Sequence, residues 1–171
     1  MSSNKLNKQI QPINPSVKIG HVHLKVANID RSLDFYCGVL GFELKQRVGN
    51  QVAFIAAGDY HHHIGLNTWE SGGGMPPPAG TTGLYHLAIL YPERKELADA
   101  YMRLQKNTIP LNGASDHGVS EALYLDDPDK NGVELYWDKP KELCPYDNNN
   151  QLQMFTQALD LKSLMAELES N

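Results

Sequence analysis

The chain has little cysteine, no excess of positive charge and no long apolar run, and each shortage removes a class of function. Its 171 residues include two cysteines. Cys37 and Cys144 lack the spacing of a zinc knuckle or a redox pair, so free thiols in a reducing compartment are expected, which points to the cytoplasm. Fifteen Lys and Arg against twenty Asp and Glu give a formal net charge of −5. That balance offers no basic stripe for a phosphate backbone, and nucleic acid is not the expected partner. No stretch approaches the roughly 18 apolar residues of a membrane span, and the polar start MSSNKLNKQIQPINPSV lacks the apolar centre of a signal peptide. No membrane partner is expected, and residues 1–18 read as a flexible N-terminal arm.

What is present is an ordinary globular composition, 41% apolar, with a weak internal repeat. ESGGGMPPPAGTTG, residues 70–83, is too rich in glycine and proline for a helix or a central strand and reads as a connector. Before it, IGHVHLKV alternates as a half-buried strand does. NIDRSLDFYCGVLGF then carries Ile29, Leu33, Tyr36 and Leu40 at helical spacing, with Asn28 or Asp30 as cap and Gly41 as stop. FELKQRV, QVAFIAAG and HHIGLNTW follow as strands. After the connector the order recurs: LYHLAILY as a strand, RKELADAYMRLQKN as a helix with Leu97, Tyr101 and Leu104 on its apolar face, PLNGASDHG as a loop or edge segment, then strands EALYLDD and VELYW around the turn DPDKNG.

Each half reads βαβββ, which predicts an α+β fold in which two modules, about 19–69 and 84–139, form an open, cup-shaped mixed sheet with helices outside. Residues 19–139 make one domain. Residues 140–171 form a C-terminal extension closing in a short amphipathic helix, with Asp160 as its N-cap, packed on the cup or on a second subunit.

The repeat makes the histidines interpretable. His21 and His86 take equivalent places on the opening strands of the two halves, and Glu134 adds a carboxylate from VELYW among apolar neighbours. Two imidazoles and one carboxylate on one side of a cation leave the opposite positions open, which suits a non-haem Fe(II), with Mn(II) as second choice. His23 shares its strand face with His21 and competes with it.

At these residues the chain resembles the vicinal oxygen chelate superfamily, which is built from paired βαβββ modules and contains glyoxalases, bleomycin-binding proteins, fosfomycin-modifying transferases and extradiol ring-cleaving dioxygenases. GHVHLKVANIDRSLDFYCGVLGFEL resembles an opening module, and DHGVSEALYLDDPDKNGVELYW, residues 116–137, resembles the signature segment of extradiol dioxygenases of the catechol-2,3-dioxygenase kind. His117, Leu123 with Tyr124, Asp127 with Pro128, and Glu134 match it. Ser115 and Lys130 depart from it, the latter standing where the pattern wants glycine or proline.

The resemblance implies a small aromatic diol and dioxygen as substrates, both meeting at Fe(II), and opening of the ring beside the hydroxyls. It implies that His63, from the triplet His61, His62 and His63, is an acid/base that does not ligate the metal. It also implies that His117 and Tyr124 hydrogen-bond the substrate oxygens. Strand alternation places His61 with His63 and His62 on the other face. The competing expectations are a fosfomycin-type thiol transferase, a glyoxalase-like isomerase, and a binding protein for planar molecules that needs no metal. A homodimer is expected to supply walls that a two-module chain lacks.

Overall fold

The computed structural model describes residues 11–169; the first ten residues of the expected arm and the last two of the tail lie outside the described residues. Residues 11–18 are exposed and belong to no strand or helix.

The first half runs β1 (Val22–Lys25), α1 (Ile29–Leu33), β2 (Glu43–Val48), β3 (Val52–Ala56) and β4 (Ile64–Asn67). The second runs β5 (Leu87–Tyr91), α2 (Arg94–Lys106), β6 (Gly113–Asp116), β7 (Ser120–Asp126) and β8 (Gly132–Asp138). A 3₁₀ turn (Lys141–Leu143), β9 (Gln157–Ala158) and α3 (Leu161–Ala166) complete the chain. The strands form two separate open mixed sheets, ordered β1-β4-β3-β2 and β5-β8-β7-β6-β9. In each, the first strand of the module pairs in parallel with the last, and the remaining pairs are antiparallel. This is the α+β vicinal oxygen chelate architecture.

Asn28 caps α1, its side-chain oxygen accepting the Arg31 N–H at 2.9 Å. The helix then widens into a π-helical segment (Asp34–Val39), in which the Leu40 N–H reaches back five residues to the Phe35 carbonyl at 3.0 Å. The expected period of Ile29, Leu33, Tyr36 and Leu40 is therefore shifted. Phe35 and Tyr36 both turn inward, and Leu33 is only partly buried. In α2, Leu97, Ala98, Ala100 and Leu104 face the core and Tyr101 flanks it. Asp160 caps α3 by accepting from the Lys162 and Ser163 N–H groups, and the helix packs on α2, where Arg94 donates to Glu121 and Glu167 at 2.7 Å each.

One apolar core joins both halves and the tail, with Val26, Ile55 and Leu66 from the first sheet, Leu123, Val133 and Leu135 from the second, and Leu164 from α3. Each such side chain is worth roughly 1.5–3 kcal/mol of burial. The inward residues of β1, β5 and β8 alternate with more exposed ones, whereas β4 is buried along its whole length. The halves are fastened through the helical side. The buried Tyr36 hydroxyl donates to Asp127 Oδ2 at 3.0 Å, while Asp129 Oδ1 accepts from the Ala27 N–H at 3.1 Å and pairs with the Arg31 guanidinium.

Candidate functional site

On the open face of the second sheet, four of the expected residues join in one hydrogen-bonded row. Glu134 on β8 is paired across the ladders with Ala88 on β5 and Tyr124 on β7. Its Oε1 accepts from the Tyr124 hydroxyl at 3.0 Å, and its Oε2 lies 2.9 Å from His86 Nε2. The same Tyr124 hydroxyl lies 2.7 Å from His117 Nε2. On its far side, His117 Nδ1 is 3.1 Å from Thr156 Oγ1 and 3.3 Å from the Phe155 carbonyl. Burial, followed by the Glu134 carboxylate, pushes the Tyr124 hydroxyl up to about 12, so it stays protonated through neutral pH and acts as a donor.

Local backbone explains the placement. His86 precedes β5 and faces Gly132, where any Cβ would sit 3.1 Å from the His86 Cβ and would also collide with the Tyr85 carbonyl. Glycine at the start of β8 therefore lets the His86 backbone close onto the strand that carries Glu134. The Asn131-Gly132 step in the sequence was the available signal. Thr156 gave none, because nothing in NNNQLQMFTQALD separates it from other polar tail residues.

The first sheet's open face carries the other histidines. His23 lies flat over Gly65, where a Cβ would meet its ring at 3.0 Å, and its ring neighbours Phe54 at 6.1 Å and Trp69 at 5.6 Å. The His21 and His62 rings are 4.5 Å apart, and His62 Nδ1 is 2.7 Å from His61 Nδ1. His61 and His63 both pack on the Tyr60 ring, at 4.1 and 4.7 Å, while His62 packs 4.9 Å from Phe54 and beside His21, so the triplet divides as alternation predicts although residues 59–63 precede β4. Burial and then the neighbouring His21 lower the His62 pKa, and the same two causes lower that of His23. His63 Nδ1 accepts the Ala57 N–H at 3.3 Å, which leaves the proton of the neutral ring on Nε2.

Register separates His63 from the position that matches Glu134. Val22 pairs with Ile64, so one step back sets His21 beside His63, whereas Leu87 pairs with Val133 and one step back sets His86 beside Gly132. Glu134 is two residues further along, and the position matching it in the first sheet is Gly65. His21 and His63 thus flank one another on the first sheet while His86 and Glu134 meet on the second. Among the described residues, no three His, Cys, Asp or Glu side chains are close enough together to hold a metal ion.

The chemistry of the donors nevertheless fits a first-row divalent cation. An imidazole nitrogen and a carboxylate oxygen that bind one cation at right angles, each at about 2.1 Å, lie about 3 Å apart, and His86 and Glu134 are already at 2.9 Å.

The sequence matches the Glyoxalase/Bleomycin resistance protein/Dioxygenase superfamily over residues 18–135. The chain belongs to this superfamily. It is 40% identical over 156 residues to the catechol-2,3-dioxygenase of Bacillus subtilis (strain 168), covering 91% of this chain and 53% of that protein. It thus spans about half the length of that relative. It is 31% identical over 134 residues to biphenyl-2,3-diol 1,2-dioxygenase 2 of Rhodococcus globerulus, covering 77% of this chain and 70% of the relative. A lactoylglutathione lyase of Neisseria meningitidis serogroup A is 26% identical over 124 residues, covering 70% and 89%. Among solved structures, a glyoxalase/dioxygenase from Nostoc punctiforme superposes with a TM-score of 0.63 at 20% identity, over 77% of this chain and 99% of that one, which supports the fold. Among the described residues no helix is long and apolar enough to cross a membrane.

Proposed function

We propose that the protein is a metal-dependent extradiol dioxygenase that opens the ring of a catechol-type diol, with His21, His86 and Glu134 as ligands of Fe(II), or of Mn(II) as second choice. The observation that carries this reading is the continuous row His86, Glu134, Tyr124, His117 on an open sheet face, in a chain 40% identical to a catechol-2,3-dioxygenase. Fe(II) bound there supplies adjacent open positions for the diol oxygens and dioxygen and an electron path between them.

The protein's own groups do the rest. Glu134 is held from both ends, which fixes the direction its oxygens face and lets it serve as an oriented donor. Tyr124, protonated up to about pH 12, offers its hydroxyl to a substrate oxygen. His117, anchored at Nδ1 by Thr156, gives its Nε2–H to the Tyr124 hydroxyl oxygen and so orients that hydroxyl for the diol. His63 presents Nε2–H, the tautomer that can donate a proton to a developing oxyanion.

The test is oxygen uptake by anaerobically iron-loaded protein given simple and aryl-substituted catechols, with the yellow ring-opened product followed by absorbance. Stoichiometric uptake and product support the reading. No uptake across the series, together with isomerisation of a hemithioacetal or thiol addition to an epoxide, replaces it with glyoxalase-like or transferase chemistry.

A further inference from the structure

We propose that Thr156, in the C-terminal extension, is a positioning residue of the site: its hydroxyl fixes the tautomer of His117 and, through it, the direction of the protons along the row, a role in catalysis that rests on the function proposed above. The sheet brings it there. β9 pairs antiparallel with β6, Ser115 with Ala158 and Asp116 with Gln157, so the residues next in line are His117 and Thr156. The Phe155 N–H donates to the His117 carbonyl at 3.2 Å, which ties the backbone of the tail to the residue it serves. β9 is two residues long and lies on the sheet edge, so neighbouring packing has to hold it. On one side of it, a Cβ on Gly118 would lie 2.8 Å from the Phe155 ring and 3.1 Å from Pro145. On the other, Leu159 and Leu164 are buried in the core.

The row admits one arrangement of protons. Glu134 as a carboxylate only accepts, so Tyr124 gives its single proton to Oε1 at 3.0 Å. The Tyr124 oxygen then accepts from His117, 2.7 Å away, which puts a proton on Nε2. In the neutral ring Nδ1 must therefore accept. Among the described residues, two groups lie within hydrogen-bond distance of Nδ1: the Phe155 carbonyl at 3.3 Å, which cannot donate, and the Thr156 hydroxyl at 3.1 Å, which can. The carbonyl favours the opposite tautomer, and the hydroxyl decides against it. Without that hydroxyl the ring proton moves to Nδ1 to reach the carbonyl. Nε2 then becomes an acceptor and competes with Glu134 for the Tyr124 proton, so the hydroxyl that the diol meets loses its fixed direction.

The experiment reads the tautomer in the metal-free full chain, so it does not depend on turnover. Wild type, Thr156→Val and Thr156→Ser, each labelled with the heavy nitrogen isotope, are compared at about pH 8, above the ordinary imidazole value of about 6.5. Two-bond proton–nitrogen correlation spectra show which ring nitrogen carries the proton, and the His117 signals are identified by their absence from His117→Asn. The wild type should show Nε2–H. Thr156→Val keeps the shape and the strand preference of threonine and should show Nδ1–H, while Thr156→Ser should restore Nε2–H. With iron and a catechol, turnover should fall roughly 10- to 100-fold in Thr156→Val at unchanged iron content, and recover in Thr156→Ser.

Nδ1–H in the wild type, or Nε2–H retained in Thr156→Val, overturns the role of Thr156. A switch in Thr156→Val that Thr156→Ser does not reverse assigns the effect to packing of the tail and overturns it too, as does a switched tautomer with undiminished turnover. Tautomers that switch and recover as expected, in a protein that opens no catechol, uphold the hold of Thr156 on His117 and remove the dioxygenase reading instead.

Discussion

Glu134 commits its two oxygens to different neighbours, one to the Tyr124 hydroxyl and one to His86, and that division separates residues that would hold a metal from residues that would move protons. On the proposed function, His63 is of the second kind. Its Nδ1 is occupied by the Ala57 N–H, so a single ring nitrogen remains for chemistry, and its sheet position matches Gly132 of the second half, not Glu134. His63→Phe keeps a flat ring in place and removes the exchangeable proton together with the acceptor of the Ala57 N–H. Iron content should stay close to that of the wild type while turnover falls by about 10² or more, the usual contribution of a general acid or base. Iron analysis and initial rates on the same preparation decide it, and a parallel loss of iron would make His63 a ligand.

At the scale of elements, the β7–β8 turn repays attention because it bears both a departure from the family pattern and the latch between the modules. Lys130 has φ +64°, the left-handed region that costs a residue with a Cβ roughly 1–2 kcal/mol, and of the two residues that the pattern wants here, glycine and proline, only glycine adopts it freely. Its exposed pairing with Asp126 at 3.3 Å offsets little of that. Lys130→Gly should therefore raise unfolding stability by about 0.5–1 kcal/mol after the extra flexibility of glycine in the unfolded chain is counted. A urea titration showing no gain would mean that the turn relaxes around lysine. Three residues earlier, Asp127 takes the buried Tyr36 hydroxyl as well as the Asn131 amide at 2.9 Å. Tyr36→Phe should cost about 1.5–3 kcal/mol, the value of a hydrogen bond to a charged group, measured in the same titration.

These elements also show what could be read in advance. The strand and helix order followed from alternation and helical spacing, and Asp160, and Asn28 with Asp30 as its alternative, were recognisable as caps because a short polar side chain before an apolar period has few other uses. The π-helical widening after Leu33 was not legible. It brings Tyr36 to Asp127, a partner 91 residues away, and local periodicity carries no record of that contact. His86 with Glu134 and Tyr124 with His117 were readable as members of one site, since repeat position and the signature segment both point to them. The place of His62 beside His21 was not, because nothing local to the triplet records a contact with the residue before β1.

Across the whole molecule, five of the seven histidines gather at one end of the first sheet. His23 and His62 are both pushed below the ordinary imidazole value, in each case first by burial and then by neighbouring imidazoles: His21 for His23, and His21, His61, His23 and His63 for His62. The consequence for stability has a definite sign. The unfolded chain titrates these rings near about 6.5, and the folded chain holds them neutral to lower pH, so between those values the unfolded state binds more protons. Stability is then fully present above about pH 6.5 and is lost as pH falls through the depressed folded values. For metal-free protein, the thermal midpoint should drop between pH 7 and about 5.5, over a range where most carboxylates remain ionised. His62→Asn removes the ring that faces the largest number of other imidazoles and should flatten that slope, while His117→Asn, on the other sheet, should leave it as it was. The comparison needs only midpoints by circular dichroism at a few pH values. An equal slope in the wild type and His62→Asn would show that the histidine cluster relaxes freely on protonation and does not govern the acid response of the fold.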